Sequence, residues 1–403
     1  LLVRDFIISN IKEVMIKYGF QYLETPSFEY SDSIGKFLPD KERPDEGVFS
    51  FRDENKWLSL RYDLTAPLAR YVAKNFLEIP KPFKRYQLGT VWRNEKPGPG
   101  RFREFLQFDA DFVGTKSLQV DAELCVMISE ILENCGLTKS EYIIKISSRK
   151  ITEELFKKIN INETQQKLTA LRALDKIDRL GWDGVKELLG AGRKDKSGDF
   201  TKGANLKSED IEVIEKTLKK KFPETEDLAE ILKIFKDYNF TNFEFDPSII
   251  RGLEYYTGVI FEVNLKFDVK NKKGQVIQFG SIGGGGRYDN LVNNFGNFDA
   301  PATGISIGLD RLVYALMQKK EFKVKQSKPV VICVFDKNSM KEYINVQTIL
   351  RKAGISAEIY PGESKLKKQM EYANKIKSPA VILYGEDEIK LGKPTLRNLS
   401  SGK

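Results

Sequence analysis

Three glycine-punctuated stretches of the chain place arginines where the main chain can approach a ligand closely. They span residues 251–258, 283–289 and 304–311, and each contains one arginine. Glycine has no Cβ that would keep a ligand away from the backbone, and a guanidinium group offers a planar fork of donors suited to phosphate or carboxylate. Three such stretches within about sixty residues predict a site for one anionic, nucleotide-sized ligand.

A second set of polar side chains follows one face of a predicted strand at residues 103–112. Alternation along a strand places Phe105, Gln107, Asp109 and Asp111 on the same face. Two carboxylates, an amide and an aromatic ring are not typical of a core face, and they could receive a small polar ligand. Patterning alone is explained equally well by a solvated sheet face.

The segment Asp63-Leu64-Thr65 leads into a helix that we expect to start near Pro67. Asp63 and Thr65 are candidate binding residues. A plain helix cap is a strong alternative, because Asp and Thr both favour the residues that precede a first turn.

Composition removes several kinds of catalyst. The 403 residues include no histidine, so histidine cannot serve as general base, nucleophile or metal ligand. Three cysteines without metal spacing nearly exclude a zinc site, and their odd number argues against a disulfide framework. Neither a P-loop nor a dinucleotide fingerprint is present. Catalysis must rely on arginines, carboxylates, tyrosines, main-chain dipoles or a bound cation.

Charge and hydropathy bear on partners and location. The net charge of +9 and pI near 9.0 fit a polyanionic partner, although a solvated lysine-rich surface would give the same values. No apolar run approaches the ~20 residues of a membrane helix, and no secretory signal is visible. Because the first residue is Leu1 instead of methionine, we expect that residues precede it.

The positioning elements divide into segments. The length favours two or three domains. A lysine-rich, helical stretch, punctuated by glycines between residues 190 and 203, interrupts a strand-rich region, and a polar linker at 323–328 precedes alternating strands and helices. We predict a catalytic core at 1–148 and 241–322, a helical insertion at 149–240 and a small α/β domain at 328–403.

Together these stretches resemble the class II aminoacyl-tRNA synthetases, and within them the histidyl-tRNA synthetase family. The class's first motif is matched weakly around residues 22–26, the second well across 91–105 and the third well at 304–311. The histidine-specific signatures Arg-Gly-Leu-Glu-Tyr-Tyr at 251–256 and Gly-Gly-Arg-Tyr-Asp at 285–289 are both present.

The resemblance, which covers nearly the whole chain, implies an α/β (α+β) fold. Its parts would be an antiparallel-sheet catalytic core, a helical insertion that embraces the tRNA acceptor stem, and a C-terminal α/β anticodon-binding domain. It also implies a cytoplasmic homodimer that does not bind a membrane.

Two sets of site residues follow from the resemblance. Arg93 and Arg251 would be catalytic, Arg93 gripping the ATP α-phosphate and Arg251 bridging that phosphate and the substrate carboxylate. The implied ATP-binding residues are Arg93, Glu95, Arg101, Phe105 and Arg311. The implied amino-acid-binding residues are Asp63, Leu64, Thr65, Gln107, Asp111, Tyr255, Tyr256 and Tyr288.

Within those sets the resemblance implies particular contacts. Glu95 would read the adenine amino group, Phe105 would stack on adenine, and Arg101 and Arg311 would hold the outer phosphates. The ammonium group would be received by Asp63, Thr65 and Gln107. The imidazole would be received by Asp111 and Tyr256, with Tyr255 nearby.

The implied reaction is that of a histidine–tRNA ligase. L-histidine and ATP, accompanied by Mg2+, would give histidyl-adenylate, and the histidyl group would pass to tRNA(His); no metal site formed by the protein is expected. The second-motif loop at 96–100 is short, which puts reading of the acceptor end in doubt. We also expect that the last domain stops early at Lys403.

Two rival interpretations stay open. A regulatory subunit of histidine biosynthesis (ATP phosphoribosyltransferase regulator) could share this core without acylating tRNA. Such paralogues typically lack the anticodon domain and the catalytic arginine, whereas this chain keeps residues 329–403 and Arg251. The 251–258 signature argues against a synthetase for another amino acid.

Overall fold

The computed structural model describes the chain except for residues 1, 32–46, 95, 196–197, 221–224, 251–254, 278, 320–321, 323–327, 363 and 400–403. The chain forms two compact units, Leu1–Phe322 and Lys323–Lys403. The linker predicted at 323–328 lies almost wholly outside the described residues.

Fifteen strands are described in the first unit. They are β1 Gln21–Tyr22, β2 Phe28–Tyr30, β3 Ser50–Asp53, β4 Lys56–Leu60, β5 Phe83–Trp92, β6 Glu104–Val113, β7 Tyr142–Ser148, β8 Gly192–Lys194, β9 Phe200–Lys202, β10 Phe243–Phe245, β11 Val259–Leu265, β12 Val269–Lys270, β13 Val276–Ile277, β14 Gly283–Arg287 and β15 Ala302–Gly308.

Ten helices of the first unit are described beside these strands. They are α1 Leu2–Lys17, α2 Thr65–Lys74, α3 Gln119–Asn134, α4 Arg149–Lys158, α5 Thr164–Leu174, α6 Ile177–Leu189, α7 Ser208–Leu218, α8 Glu226–Asp237, α9 Asn293–Gly296 and α10 Leu309–Leu316.

Eight strands form the central sheet, in the order β1-β5-β6-β15-β14-β11-β7-β10. Neighbouring strands from β5 to β7 run antiparallel, and β1 and β10 add parallel edges. The predicted antiparallel core is therefore confirmed. Because β6 and β15 lie side by side, a strand from early in the chain meets one almost 200 residues later, with Asp111 opposite Gly304.

The four-glycine run forms most of β14, in the middle of this sheet. A Cβ added to Gly285 would lie 1.9 Å from the Gly304 carbonyl oxygen, which no side chain could tolerate. The strand is therefore glycine-rich because its neighbours pack against its backbone. Gly283 and Gly284 at its start also line the pocket described below.

Helices of the first unit pack against the central sheet through their apolar faces. α1 buries Ile7, Ile11 and Met15, and α3 buries Ile128 and Leu132, all in one hydrophobic cluster with the sheet. Apolar residues recur at helical spacing in both segments, which places these side chains on one face of each helix. This hydrophobic cluster supports the central sheet by packing against it.

The lysine-rich stretch at 149–240 contains α4 to α8, as its helical pattern predicted. Its glycine-punctuated part forms the hairpin β8–β9. Buried residues of these helices, among them Leu155, Ile214 and Phe235, belong to the same hydrophobic cluster as the sheet. The division of the first unit into a core and an inserted domain stays a prediction.

The second unit is a small α/β fold. Its strands are β16 Val330–Ile332, β17 Ala357–Ile359, β18 Ala380–Leu383 and β19 Thr395–Asn398, and its helices are α11 Met340–Lys352, α12 Leu366–Lys375 and α13 Glu386–Leu391. The sheet order is β17-β16-β18-β19, with β19 antiparallel to its neighbour. β19 and α13 were not anticipated from the sequence, since both are short and β19 is exposed along its length.

Candidate active site

One pocket of about 250 Å³ opens on the face of the central sheet. Its walls come from the start of α2, the end of β5, the start of β6 and the loop between these two strands. The segment before β11, the start of β14, the end of β15 and the first turn of α10 complete them. Nine predicted site residues line it, namely Asp63, Thr65, Arg93, Arg101, Phe105, Gln107, Tyr255, Tyr256 and Arg311.

Arg93 lies at the end of β5, between two aromatic rings. Its guanidinium carbon is 4.4 Å from the Tyr62 ring centroid and 5.2 Å from that of Phe105, and its Nε donates to the Tyr62 carbonyl oxygen over 3.2 Å. The two rings and the main-chain hydrogen bond fix the guanidinium at the pocket wall. There it can act as a preorganised hydrogen-bond donor to an anion.

Two further arginines converge beside Gly280. A Cβ placed on this glycine would lie 3.4 Å from Nη2 of Arg311 and 3.8 Å from Nη2 of Arg101. The Arg311 guanidinium also packs over the Phe279 ring, 4.7 Å from its centroid. Cationic forks so close together repel each other, and an anion between them would relieve that repulsion.

Arg287 does not belong to this group, so the expectation that the sheet presents it to a ligand is wrong. It is buried in an ion pair with Asp121 and donates to the carbonyl oxygens of Thr115 and Ser117 over 3.0 and 2.9 Å. These hydrogen bonds connect β14 to the turn before α3, so the role of Arg287 is structural.

The opposite end of the pocket is acidic. Asp63 accepts from the Ala66 N–H over 3.0 Å, and the Tyr255 hydroxyl donates to its other oxygen over 3.4 Å. Asp63 therefore caps the first turn of α2, as the alternative interpretation predicted, and also faces the pocket.

Asp109 lies beneath this end and connects two residues of the pocket wall. It accepts from the Thr65 hydroxyl over 3.3 Å and from the Gln107 amide over 2.7 Å. Gln107 also donates to the Ser306 hydroxyl over 3.2 Å. The bonds orient Thr65 and Gln107 from below.

Asp111 lies deeper, behind the residues that line the pocket. The Tyr288 hydroxyl donates to one of its oxygens over 2.6 Å, and Arg85 donates to the other over 3.1 Å. A Cβ on Gly304 would lie 2.0 Å from Asp111 Oδ1, so only glycine leaves room for the carboxylate here. Leu64 is also fully buried and contributes its carbonyl oxygen to Arg85.

The strand register explains why these groups gather. Residues directly opposite one another across β5, β6 and β15 share a face. Asp111 is flanked by Arg85 and Gly304, Asp109 by Gln87 and Ser306, and Gln107 by Gly89 and Gly308. The predicted shared face of Phe105, Gln107, Asp109 and Asp111 is confirmed, and it is a buried site face.

Burial sets the ionisation of this acidic end. Desolvation raises the pKa of the carboxyl groups of Asp63 and Asp109 and raises that of Asp111 to about 7, with Arg85 acting in the opposite direction. Desolvation also holds the pKa of the Tyr255 and Tyr288 hydroxyls well above the usual value. A cationic ligand would favour the ionised carboxylates.

Some pocket residues were missed by the sequence analysis. They are Lys96, Gly100, Phe102, Ser281, Ile282, Gly283, Gly284, Ser306 and Gly308. Ser306 and Gly308 lie within a stretch that was singled out, and their alternation with Gly304 could have placed them on its face. Two predicted site residues, Glu95 and Arg251, lie outside the described residues.

Among the described residues, no cluster of three or more acidic or cysteine side chains could hold a metal ion. No described helix has the length and apolarity needed to cross a membrane.

The antiparallel sheet and the arginines and acceptors of its pocket agree with the catalytic core expected for a class II aminoacyl-tRNA synthetase. Residues 4–312 match the family model for histidyl-tRNA synthetase, and residues 328–403 match that for the anticodon binding domain. The chain belongs to the histidyl-tRNA synthetase family.

Individual relatives agree with this assignment. The histidine–tRNA ligase of Bartonella quintana is 47% identical over an alignment of 431 residues. The alignment covers 100% of this chain and 86% of that protein. The structure of histidyl-tRNA synthetase from Nostoc sp. PCC 7120 is 27% identical, with a TM-score of 0.78, over 99% of this chain and 92% of that one.

A third comparison shows the fold alone. The Bacillus halodurans structure titled as an ATP phosphoribosyltransferase regulatory subunit/histidyl-tRNA synthetase has a TM-score of 0.68 at 21% identity, over 92% of each chain.

Proposed function

We propose that this chain is a histidine–tRNA ligase, which activates L-histidine with ATP and transfers the histidyl group to tRNA(His). One observation carries the proposal beyond family membership. A single pocket is lined by three arginines, Arg93, Arg101 and Arg311, and also by hydrogen-bond acceptors for a cationic amino acid, which are Asp63, Thr65 and Gln107.

The arginine end suits the phosphates of ATP. Attack of the substrate carboxylate on the α-phosphate places extra charge on the phosphate oxygens as the bond to pyrophosphate breaks. Arg93, held between the Tyr62 and Phe105 rings, would stabilise that charge without reorganising. Arg101 and Arg311 would hold the outer phosphates, and Arg251 would bridge the carboxylate and the α-phosphate.

Adenine would lie against Phe105, with its amino group read by Glu95. Mg2+ would come with the ATP phosphates, since the described residues offer no metal cluster. The cation would neutralise phosphate charge.

The acidic end suits the zwitterion of histidine. Asp63, Thr65 and Gln107 would receive the ammonium group, and the Asp109 bonds to Thr65 and Gln107 orient both for it. Asp111, Tyr255 and Tyr256 would receive the imidazole, and Tyr288 would hold Asp111 through its hydroxyl. A buried site that hydrogen-bonds both ring nitrogens strongly rejects amino acids lacking them.

The second unit would bind the anticodon. Lys365, Lys367, Lys368, Lys375 and Lys377 are exposed and could contact phosphates of the RNA. The helical segment at 149–240 would contact the acceptor stem. We also propose a homodimer that works in the cytoplasm.

The alternative is a regulatory subunit that binds histidine without acylating tRNA. The fold cannot decide, because the Bacillus halodurans structure shares it. Three features favour the enzyme. The chain retains Arg251, its pocket is lined by Arg93, Arg101 and Arg311, and residues 328–403 match an anticodon-binding domain.

ATP–pyrophosphate exchange, measured with each of the twenty amino acids, tests the proposal. We expect exchange with histidine alone, followed by histidine transfer to tRNA(His). Exchange with a different amino acid would refute the assigned substrate, and histidine binding without any exchange would support the regulatory alternative.

A further inference from the structure

Arg85 is a fully buried arginine that connects both halves of the acidic end. It lies on β5 with 0% of its surface exposed. Its Nη1 donates to Asp111 over 3.1 Å, and its Nη2 donates to the Leu64 carbonyl oxygen over 2.8 Å. A single planar group thus joins the carboxylate proposed for the imidazole to the segment proposed for the ammonium group.

The surroundings hold this guanidinium in place. Nη2 also donates to Gln87 Oε1 over 3.0 Å, and the Thr25 hydroxyl donates to the same oxygen over 3.1 Å. Gln87 is itself fully buried. Arg85 does not itself line the pocket, and its hydrogen bonds go to Asp111, to the Leu64 carbonyl oxygen and to Gln87.

Burying a cation of this kind costs free energy of folding, and a functional role would explain why the cation is present. Desolvation of an ion pair often costs more than its attraction returns, so apolar residues would stabilise the fold equally well. Here the planar fork of arginine holds the Asp111 carboxylate and the Leu64 carbonyl oxygen in a fixed mutual geometry, whereas the rotatable ammonium group of lysine would not fix that geometry.

We propose that Arg85 is a positioning residue for amino-acid recognition. Its guanidinium fixes the Asp111 carboxylate relative to the 63–65 segment and thereby sets the spacing between the groups that receive the two ends of the substrate. This inference rests on the proposed function and adds a residue to it.

Charge supports the same role. Asp111 faces Arg85 from β5, the Tyr288 hydroxyl from the segment after β14, Asp109 on its own strand and Asp63 from the loop before α2. Of these groups, only Arg85 is a cation. Its loss would raise the pKa of Asp111 and leave this carboxyl protonated over a wider pH range.

The test is histidine-dependent ATP–pyrophosphate exchange by the full chain between pH 6 and 9. We expect Arg85→Met to raise the KM for histidine more than about tenfold, since breaking a buried charge pair is costly, and to leave the KM for ATP unchanged. The acid limb of the histidine KM profile should move to higher pH. Arg85→Lys should restore the pH profile but only part of the affinity.

A double-mutant cycle separates positioning from general support of the fold. If Arg85 acts through Asp111, the variant carrying both Arg85→Met and Asp111→Asn should bind histidine no more weakly than Asp111→Asn alone. Effects that add in full would overturn the proposal. The matched control is Arg70→Met, which breaks the ion pair between Arg70 of α2 and the buried Glu29 of β2. This variant should not change the KM for histidine.

The remaining outcomes are distinguishable. If Arg85→Met does not fold, Arg85→Lys keeps the charge and must still raise the KM for histidine. An active parent chain whose Arg85 variants keep the parent KM for histidine would overturn this inference alone. A parent chain that exchanges with no amino acid would overturn both this inference and the proposed function.

Discussion

At the scale of single residues, the arginines that line the pocket have different surroundings from the arginines that are buried away from its surface. Arg93, Arg101 and Arg311 line the pocket. Arg287 and Arg85 are buried and bonded to carboxylates and main-chain carbonyl oxygens. Residue type is the same in all five, and the difference lies in what the neighbouring strands and loops offer to each guanidinium.

Arg93→Ala tests the first group. Removing one preorganised donor from developing charge lowers kcat by about 10²–10³-fold in comparable sites, and we expect a loss of that size in histidine-dependent exchange. The melting temperature should change little, because Arg93 is only half-buried. The exposed Arg52→Ala variant is the control and should keep full activity; comparable loss in both would argue against a specific role for Arg93.

Asp111 gives a prediction about pH. Its folded pKa of about 7 exceeds the ordinary carboxyl value of 3.8 because of burial, so the folded state binds this proton more tightly than the unfolded chain. The resulting stability is fully present below about pH 4 and is lost as the pH rises through about 7. Asp111→Asn should therefore lose less stability than the parent between pH 5 and 8.

Urea unfolding of the ligand-free protein at each pH measures this difference. Asp299→Asn is a suitable control, since that carboxylate is exposed and pairs only at the surface with Lys116. Equal pH slopes for the parent and Asp111→Asn would show that Asp111 titrates normally in the fold.

At the scale of elements, α10 does more than carry Arg311 to the pocket. Asp310 in its first turn accepts from the Leu106 N–H of β6 over 2.9 Å and from Arg4 of α1 over 2.5 Å. One carboxylate thus joins two helices and a strand of the central sheet. The position of Arg311 relative to Phe105 and Gln107 depends on this junction.

Asp310→Ala should lower stability by about 1–3 kcal/mol, because it leaves the Leu106 N–H without its acceptor. Asp310→Asn keeps an acceptor oxygen and should recover part of that loss. Chemical denaturation of the three proteins gives the order directly. An alanine variant as stable as the parent would mean that water replaces the carboxylate there.

At the scale of the whole molecule, every described pocket residue lies in the first unit, Leu1–Phe322. The second unit has its own small hydrophobic clusters, around Ile332 and Tyr343 on one side of its sheet and around Val331 and Ala373 on the other. Adenylate chemistry and anticodon binding are thus expected to be separable.

A truncated chain of residues 1–322 should keep histidine-dependent exchange and lose most tRNA charging. Tethered binding modules gain about 10²–10⁴-fold in avidity, so kcat/KM for tRNA should fall by about 10²-fold or more. Parallel exchange and charging assays measure the two steps. Loss of exchange in a folded truncated protein would show that the second unit supports the adenylation site.

The sequence by itself determined the local elements and most of the site's chemistry. Alternating polarity predicted β6, and the helical pattern of residues 149–240 predicted α4 to α8, because burial of one face imposes those periods. Glycine next to arginine indicated where an anion could bind, and acceptors on one strand face indicated where a cation could bind. Both indications follow from residue type and spacing alone.

Only the tertiary structure decided which of these residues meet. The pairing of β6 with β5 and β15 placed Asp111 between Arg85 and Gly304, and it did so across long intervals of chain that no local pattern records. The packing of other elements brought Arg287 of β14 to Asp121 of α3, and the pairing of β5 with β6 gave Arg85 its place beside Asp111. Alternation fixes which side of a strand a residue is on, whereas strand order and register, set by packing of the whole core, fix its partners.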